Sequence, residues 1–449
     1  MPSTDVAAEG ASSSAGSSSA HVSVGVQKIY PHSRVTHSDG QSLNYPASSQ
    51  LVLHQHEEDR FFQATTGTAD ALRQAGFVDI RLPAGSLQLV KGMTLELKIV
   101  NNTGVEVRPA YHLASTDSNG ALAGLSQGNR FCQPVQALID RVELLAESGS
   151  VLISRTESTM MMSEFRLMDP AQSALLREAS DLGDEGGVDN DDEKSTIPGG
   201  IAIGASRTAY IPLFNAFTQN HVFCGGLAAD TYVRVWFKGV SAWQSAVNGP
   251  PTLQSLALIV RQDSLARVEH NHMMNRYRNE TLDFRFMRPS FQSITENLSP
   301  GQRYQFQLTA VHGLISDLTI FIRNPAGTGV WALVAYELTS VELLDSSGQN
   351  IIGGSALPTK YLRKVKNAFQ AGNSEQELLP SGLVHFDFGS SRANREHSTL
   401  TGYIVGDGAL QLAFTTGSSV SAGAYEIRVE YNAAARMRIS GGAVEVFPS

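Results

Sequence analysis

Along this chain apolar and polar residues alternate over short runs far more often than they recur at helical spacing. In LQLVKGMTLELKIVNNTG (88–104), Met93, Leu95, Leu97 and Ile99 fall on one side of an extended backbone. That period of two is the mark of a half-buried strand, and the Asn-Asn-Thr-Gly that follows supplies turn chemistry. TYVRVWFKG (231–239) alternates likewise through Tyr232 or Val233, Val235 and Phe237. RYQFQLTAV, LTIFIRN, LQLAFTTG and YEIRVEY continue the style in the second half, separated by Gly, Ser, Asn and Pro clusters. Short strands at close spacing predict an all-β sandwich or barrel rather than parallel βαβ units. Two helices are predicted among them. Asp169-Pro170 opens one through Leu175, Leu176 and Ala179; Thr359 opens the other, with Tyr361, Leu362, Val365 and Phe369 on one face and Gly372 as its stop.

One phrase occurs twice. VELLAESG (142–149) returns as VELLDSSG (341–348), identical at six of eight positions, and each copy is followed by an aliphatic pair, Leu152 and Ile153 or Ile351 and Ile352. Val142 and Leu144 fall on one face of a strand and Glu143 and Leu145 on the other, while Ser-Gly supplies the positive φ that a hairpin needs. Around both copies unlike features recur in one order: an alternating strand, the VELL strand and its turn, a helix, an aromatic phrase (YIPLFNAF at 210–217, LVHFDFGS at 383–390), then more strands. The first copy carries an added acidic loop, DLGDEGGVDNDDEKS (181–195). A shared order at a drifting offset predicts a duplicated domain. A chain of 449 residues is also too long for one ordinary core.

Composition narrows the function. Residues 1–20 are mostly Ser, Ala and Gly, too polar to offset chain entropy by burial, so residues 1–49 are read as a flexible arm that gains Val, Ile and Tyr from His21 onward. The first sandwich is assigned to 50–265 and the second to 266–449. The N-terminal stretch lacks a basic n-region and an apolar h-region, so no secretory signal is expected. A net charge of −9 argues against a protein that coats nucleic acid. Cys132 and Cys224 have no metal-ligand spacing.

Candidate chemistry is sparse. His54 and His56 share a strand face beside Glu57, Glu58 and Asp59, but no third ligand is placed, and the segment is read as solvated. The tripeptide His270-Asn271-His272 spells a nuclease name without its ββα context. The acidic loop fails the calcium pattern at Gly183 and Asp192 and is read as exposed. Met160, Met161 and Met162 are read as packing residues, and Trp236, Trp243 and Trp331 as core or subunit contacts, with a glycan site as the alternative. No phosphate-binding loop, nucleophile elbow, zinc-protease or dinucleotide motif is present. No catalytic, cofactor-binding or metal-binding residue is assigned.

Three stretches carry a resemblance. YIPLFNAFTQNHVFCGGLAADTYVRVWFKG (210–239), VELLDSSGQNII (341–352) and YEIRVEYNAAARMRISGGAVEVFPS (425–449) resemble, in this order, segments of the double jelly-roll major capsid proteins of tailless icosahedral double-stranded DNA viruses. The branch is that of large nucleocytoplasmic viruses, virophages and polinton-like viruses. In the last stretch Tyr431, Asn432, Arg438, Ile439, Ser440 and Gly441 match the family phrase, AARM separates its halves, and Ala443–Phe447 forms the final strand. The chain is thus similar to a divergent member. The resemblance implies two tandem eight-stranded jelly rolls with short helices in the loops, no enzyme activity and no cofactor. It implies a homotrimer forming a pseudo-hexagonal capsomer of a virion shell assembled inside the host cell. Its partners would be itself, neighbouring capsomers, penton and minor capsid proteins and, where one lines the shell, an internal membrane; nucleic acid is not among them. By the same analogy the acidic loop lies toward the outer surface. The alternatives are a scaffold or minor capsid protein of the same fold, a self-assembling cellular structural protein, or a two-jelly-roll glycan-binding protein or amidase.

Overall fold

The computed structural model describes residues 54–64, 70–105, 107, 138–149, 151–156, 201–213, 215–242, 250–323, 338–353, 356–358, 383–388, 402–406, 409–418, 420 and 422–448. The first half holds β1 (His54–Gln63), β2 (Phe77–Leu82), β3 (Leu89–Val100), β4 (Ile139–Ala146), β5 (Val151–Thr156), β6 (Ser206–Leu213), β7 (Thr231–Phe237) and β8 (Thr252–Leu265). Two antiparallel sheets result, ordered β1-β8-β3-β6 and β2-β7-β4-β5. The second half holds β9 (Thr281–Leu298), β10 (Arg303–Gln307), β11 (Gly313–Arg323), β12 (Leu338–Leu344), β13 (Leu357–Pro358), β14 (Leu383–Asp387), β15 (Tyr403–Val405), β16 (Gln411–Thr416), β17 (Gly423–Ser440) and β18 (Ala443–Pro448).

The second half repeats the first. Its sheets run β9-β17-β11-β14 and β10-β16-β12-β13, so β9 stands where β1 does, β17 for β8, β11 for β3 and β13 for β5. Each half is an eight-stranded jelly roll of two four-stranded antiparallel sheets. Among the described strands, only β15 and β18 have no counterpart, adding to β11 and β17.

The strand periods match the sequence. Met93, Leu95, Leu97 and Ile99 are all buried, as are Val233, Val235 and Phe237. The two VELL phrases occupy equivalent strands, β4 and β12, and their turns match: Gly149 (φ 79°) donates to Ala146 and Gly348 (φ 80°) to Asp345. All four residues of Val142-Glu143-Leu144-Leu145 are buried, so both faces of β4 are covered. Both helices predicted from sequence, at 169–179 and 359–372, lie outside the described residues, as do the 1–49 arm and the acidic loop.

Two described helices were absent from the sequence reading. In α1 (Ala216–Gln219), Asn215 Oδ1 accepts from the Phe217 and Thr218 amides while Thr218 Oγ1 accepts from Asn215 N, a capping box that drives Phe217 fully into the core. In α2 (Arg267–Asn279), only Met273 and Tyr277 are buried, one turn apart. Tyr277 anchors it: its hydroxyl accepts from Phe223 N at 2.9 Å, and Gly226 lies so close that a Cβ there would collide with the ring.

A long ribbon joins the two jelly rolls. β9 and β17 pair along their whole lengths, from Thr281↔Ser440 to Leu298↔Gly423. The AARM residues that separate the two halves of the family phrase lie within β17, which continues through Ala433–Met437 without a break. Even positions of β9 and odd positions of β17 share one face, apolar along β17 and at both ends of β9 and polar at Arg288, Ser290 and Gln292 between them. At one end Leu298, Tyr425, Ile427, Val429 and Tyr431 belong to the second core; at the other Leu282, Phe284, Phe286, Ala435, Met437 and Ile439 belong to the first. Val444 and Val446 of β18 pack on that first core too. Pro289 sits mid-strand in β9 without penalty because, among the described strands, β9 pairs only with β17, and its other edge suits a residue that cannot donate.

Met437 therefore reports on the first jelly roll although it lies in a strand of the second. Met437→Ala is expected to destabilise by about 3 kcal/mol, a cavity cost for a buried methionine. Hydrogen exchange is expected to quicken in β3 and β8 as well as β17; exchange that quickens in β17 alone would show that the cores are independent.

Candidate assembly surfaces

The acidic run on β1 is neutralised along its strand rather than gathered around an ion. Lys91 Nζ lies 2.6 Å from Glu57 and 3.2 Å from Asp263, Arg261 lies 3.5 Å from Asp59, and Arg60 lies 3.0 Å from Glu58. Lys91 reaches both carboxylates because β3 carries an irregularity between Val90 and Gly92. Among the described residues no group of three or more His, Cys, Asp or Glu is placed to hold a metal ion. His270 packs edge-on against Phe223 at 5.4 Å, a packing contact. Cys224 is buried, and burial pushes its thiol pKa up, away from reactivity. Cys132, Met160–Met162, Trp243 and Trp331 fall outside the described residues.

Trp236 does lie on a surface, the outer face of the β2-β7-β4-β5 sheet, where Phe77, Trp236 and Arg141 sit in register across three strands. Its indole is flanked on both sides. The Arg141 guanidinium lies 4.1 Å from the ring centroid and the Phe77 ring 4.7 Å away. Trp236 Nε1 donates to Glu143 at 2.7 Å, which gives the buried Glu143 a partner. In the next row Arg234 grips Asp79 through two hydrogen bonds of 2.7 and 2.8 Å and stacks on Phe77 at 4.0 Å. Arg141 and Phe77 thus crowd the ring on which a sugar would have to stack. The equivalent face of the second jelly roll is polar instead, built on an Arg303–Glu342 ion pair of 2.9 Å.

On the outer face of the β9-β17-β11-β14 sheet, Asp317, Thr319 and Glu430 are all but fully buried. Asn432 Nδ2 donates to Asp317 at 3.1 Å, Thr319 Oγ1 lies 2.9 Å from His385 Nδ1, and Arg428 pairs with Glu430 at 3.1 Å. Buried charges persist where they are paired. Sequence reasoning missed this network, since a Glu alternating with Val and Tyr reads as solvent-facing, and neither its burial nor its pairing with Arg428 on the same strand shows in that alternation. The equivalent outer face in the first jelly roll is open: Phe61 on β1 is 64 % exposed. β9 likewise carries an exposed Phe291, stacked under Arg428 at 4.3 Å.

The sequence matches no protein-family model and no curated protein. Its structure is similar to solved viral capsid structures. The PBCV-1 capsid protein, fitted into a reconstruction of the virophage Sputnik, superposes with a TM-score of 0.61 at 13 % identity, covering 88 % of this chain and 97 % of that one. The Faustovirus major capsid protein superposes with a TM-score of 0.56 at 8 % identity, covering 97 % and 98 %. The Sputnik virophage structure gives 0.52 at 10 % identity, covering 92 % of each. At these identities the likeness defines the fold, and that fold is the double jelly roll, spanned from end to end.

Glu58 gives these surfaces a pH response. Burial alone would raise its carboxyl pKa, but hydrogen bonds from Gln262, Arg60 and Ser264 outweigh that and lower it from 4.5 to about 2. A depressed carboxyl stabilises the fold above its unfolded pKa, so this contribution is present above about pH 4.5 and fades as pH falls towards about 2. Glu58→Gln is expected to flatten the loss of thermal stability across that window, as followed by circular dichroism. An unchanged acid slope would mean that other carboxylates set it.

Proposed function

We propose that this protein is a major capsid protein whose homotrimers form pseudo-hexagonal capsomers of an icosahedral virion. The observation that carries the reading is the exact repeat of strand order in the two halves. A chain that presents two similar sandwiches lets three copies build a six-sided tile, a shape that packs without gaps. Jelly rolls also leave few free strand edges, which suits a protein held at very high local concentration. The structures it resembles are capsid proteins over nearly their whole lengths. On this reading residues 1–49 form an arm, 50–265 the first jelly roll and 266–449 the second. Neighbouring capsomers, penton and minor capsid proteins and an internal membrane are its proposed partners. The role is structural rather than enzymatic.

The flanked indole of Trp236 weighs against the glycan-binding alternative. The purified protein is expected to behave as one species of three times 48.3 kDa by light scattering, and to show pseudo-hexagonal rings in negative stain. A stable monomer without rings would overturn the capsomer reading.

A further inference from the structure

We propose that β1 is a releasable strap, which opens from β8 as a unit while the other seven strands of the first jelly roll stay folded. The proposal goes beyond the capsomer reading and does not depend on it. Each of those seven strands gives the first core at least two buried apolar side chains, from Val78, Ile80 and Leu82 of β2 to Leu152 and Ile153 of β5. β1 does not. From Glu57 onward only its Phe62 packs against that core, partly buried, and Phe61 points into solvent. β9, which stands in the same place in the second jelly roll, buries Leu282, Phe284, Phe286 and Leu298.

Backbone pairing to β8 and a set of polar side-chain contacts hold β1 instead. Glu58 Oε1 accepts from Gln262 Nε2 at 2.5 Å, from Ser264 Oγ at 3.1 Å and from Arg60 Nε at 3.0 Å. Lys91 Nζ spans Glu57 on β1 and Asp263 on β8, and Arg60 Nη1 donates to Ser86 O at 2.8 Å. Glu57, Glu58 and Arg60 all keep contact with water, so water replaces their partners on opening and each contact contributes little net stability. The residues beneath keep partners of their own. Buried Asp263 stays paired with Lys91, Gln262 Oε1 accepts from Gln88 N at 2.6 Å, and Gln88 Oε1 accepts from Leu265 N at 2.5 Å. These contacts tie β8 to the start of β3, and none of them involves β1. Local openings cost anything from almost nothing to the full stability of the fold, and a strand with few buried apolar contacts lies at the low end. Once β1 has left, β8 presents the row of N–H and C=O groups that β1 had filled.

Hydrogen exchange of the full chain, read by mass spectrometry, tests this. Peptides covering 57–63 of β1 are expected to exchange about tenfold or more faster than those covering 93–99 of β3 and 282–286 of β9. Sodium chloride at about 1 M, which screens charges beyond about 3 Å, is expected to quicken β1 further and to leave β3 unchanged. Glu57→Ala removes the hold of β1 on Lys91 but spares the Lys91–Asp263 pair, and the same selective quickening is expected from it. Exchange in β1 as slow as in β3 overturns the proposal. So does a salt or Glu57→Ala effect that spreads evenly over the whole first jelly roll, since β1 would then open only with the rest.

Discussion

One two-stranded ribbon serves two hydrophobic cores with a single face, and the rest of the architecture follows from that. β9 and β17 are each long enough to cross from one jelly roll into the other, and their alternation never slips along the way. A one-residue bulge anywhere in the pair would turn half of the buried side chains outward. The register is held at the far end by β18, which pairs with Arg436 through Ser440, and by the turn at Gly441-Gly442. Gly442 has a φ of 81° and accepts from the Ala228 amide at 3.0 Å, so the turn is stitched to the first jelly roll by backbone alone. A side chain at that position would meet Ala228 N at 2.7 Å.

Duplication kept the topology and released the surfaces. The two halves share strand order, hairpin geometry and the positive-φ glycines at Gly149 and Gly348. Their outer faces have little in common. One sheet carries interleaved aromatic rings and guanidiniums, its counterpart glutamines and a simple ion pair. One outer face buries Asp317 beside Asn432 and Glu430 beside Arg428, while its counterpart leaves Phe61 in water. Sheet order is set by backbone pairing and by the core-facing half of each strand, so the outward half is free to diverge.

How much of this was legible in the sequence depends on which force placed each element. The strands around Met93 and Val233 were plain, because one face is buried and the other is not. The duplication was plain from the VELL phrases, because a hairpin needs the same residues wherever it recurs. α2 was not, since RVEHNHMMNRYRN buries only two side chains and opens without a capping side chain at Ala266. The middle of β17 was hidden because alanines are poor strand formers and Ala433–Ala435 are held by pairing with β9, a distant partner. Alternation alone does not reveal the burial of Glu143, which is partnered across strands by Trp236, or of Glu430, which is partnered within its own strand by Arg428. Of the surfaces, the sequence named Trp236 as a contact residue, but its stacking with Arg141 and Phe77 depends on register alone.

The shared ribbon also orders events in time. The first jelly roll is emitted early in synthesis, yet its core is incomplete until residues 435–446 have been made. A nascent or prematurely ended chain would hold a half-closed sandwich and a bare apolar floor where Met437 and Ile439 belong. Such a chain could not offer a rigid first sandwich to its neighbours. The first core is thus complete only in chains translated through residue 446.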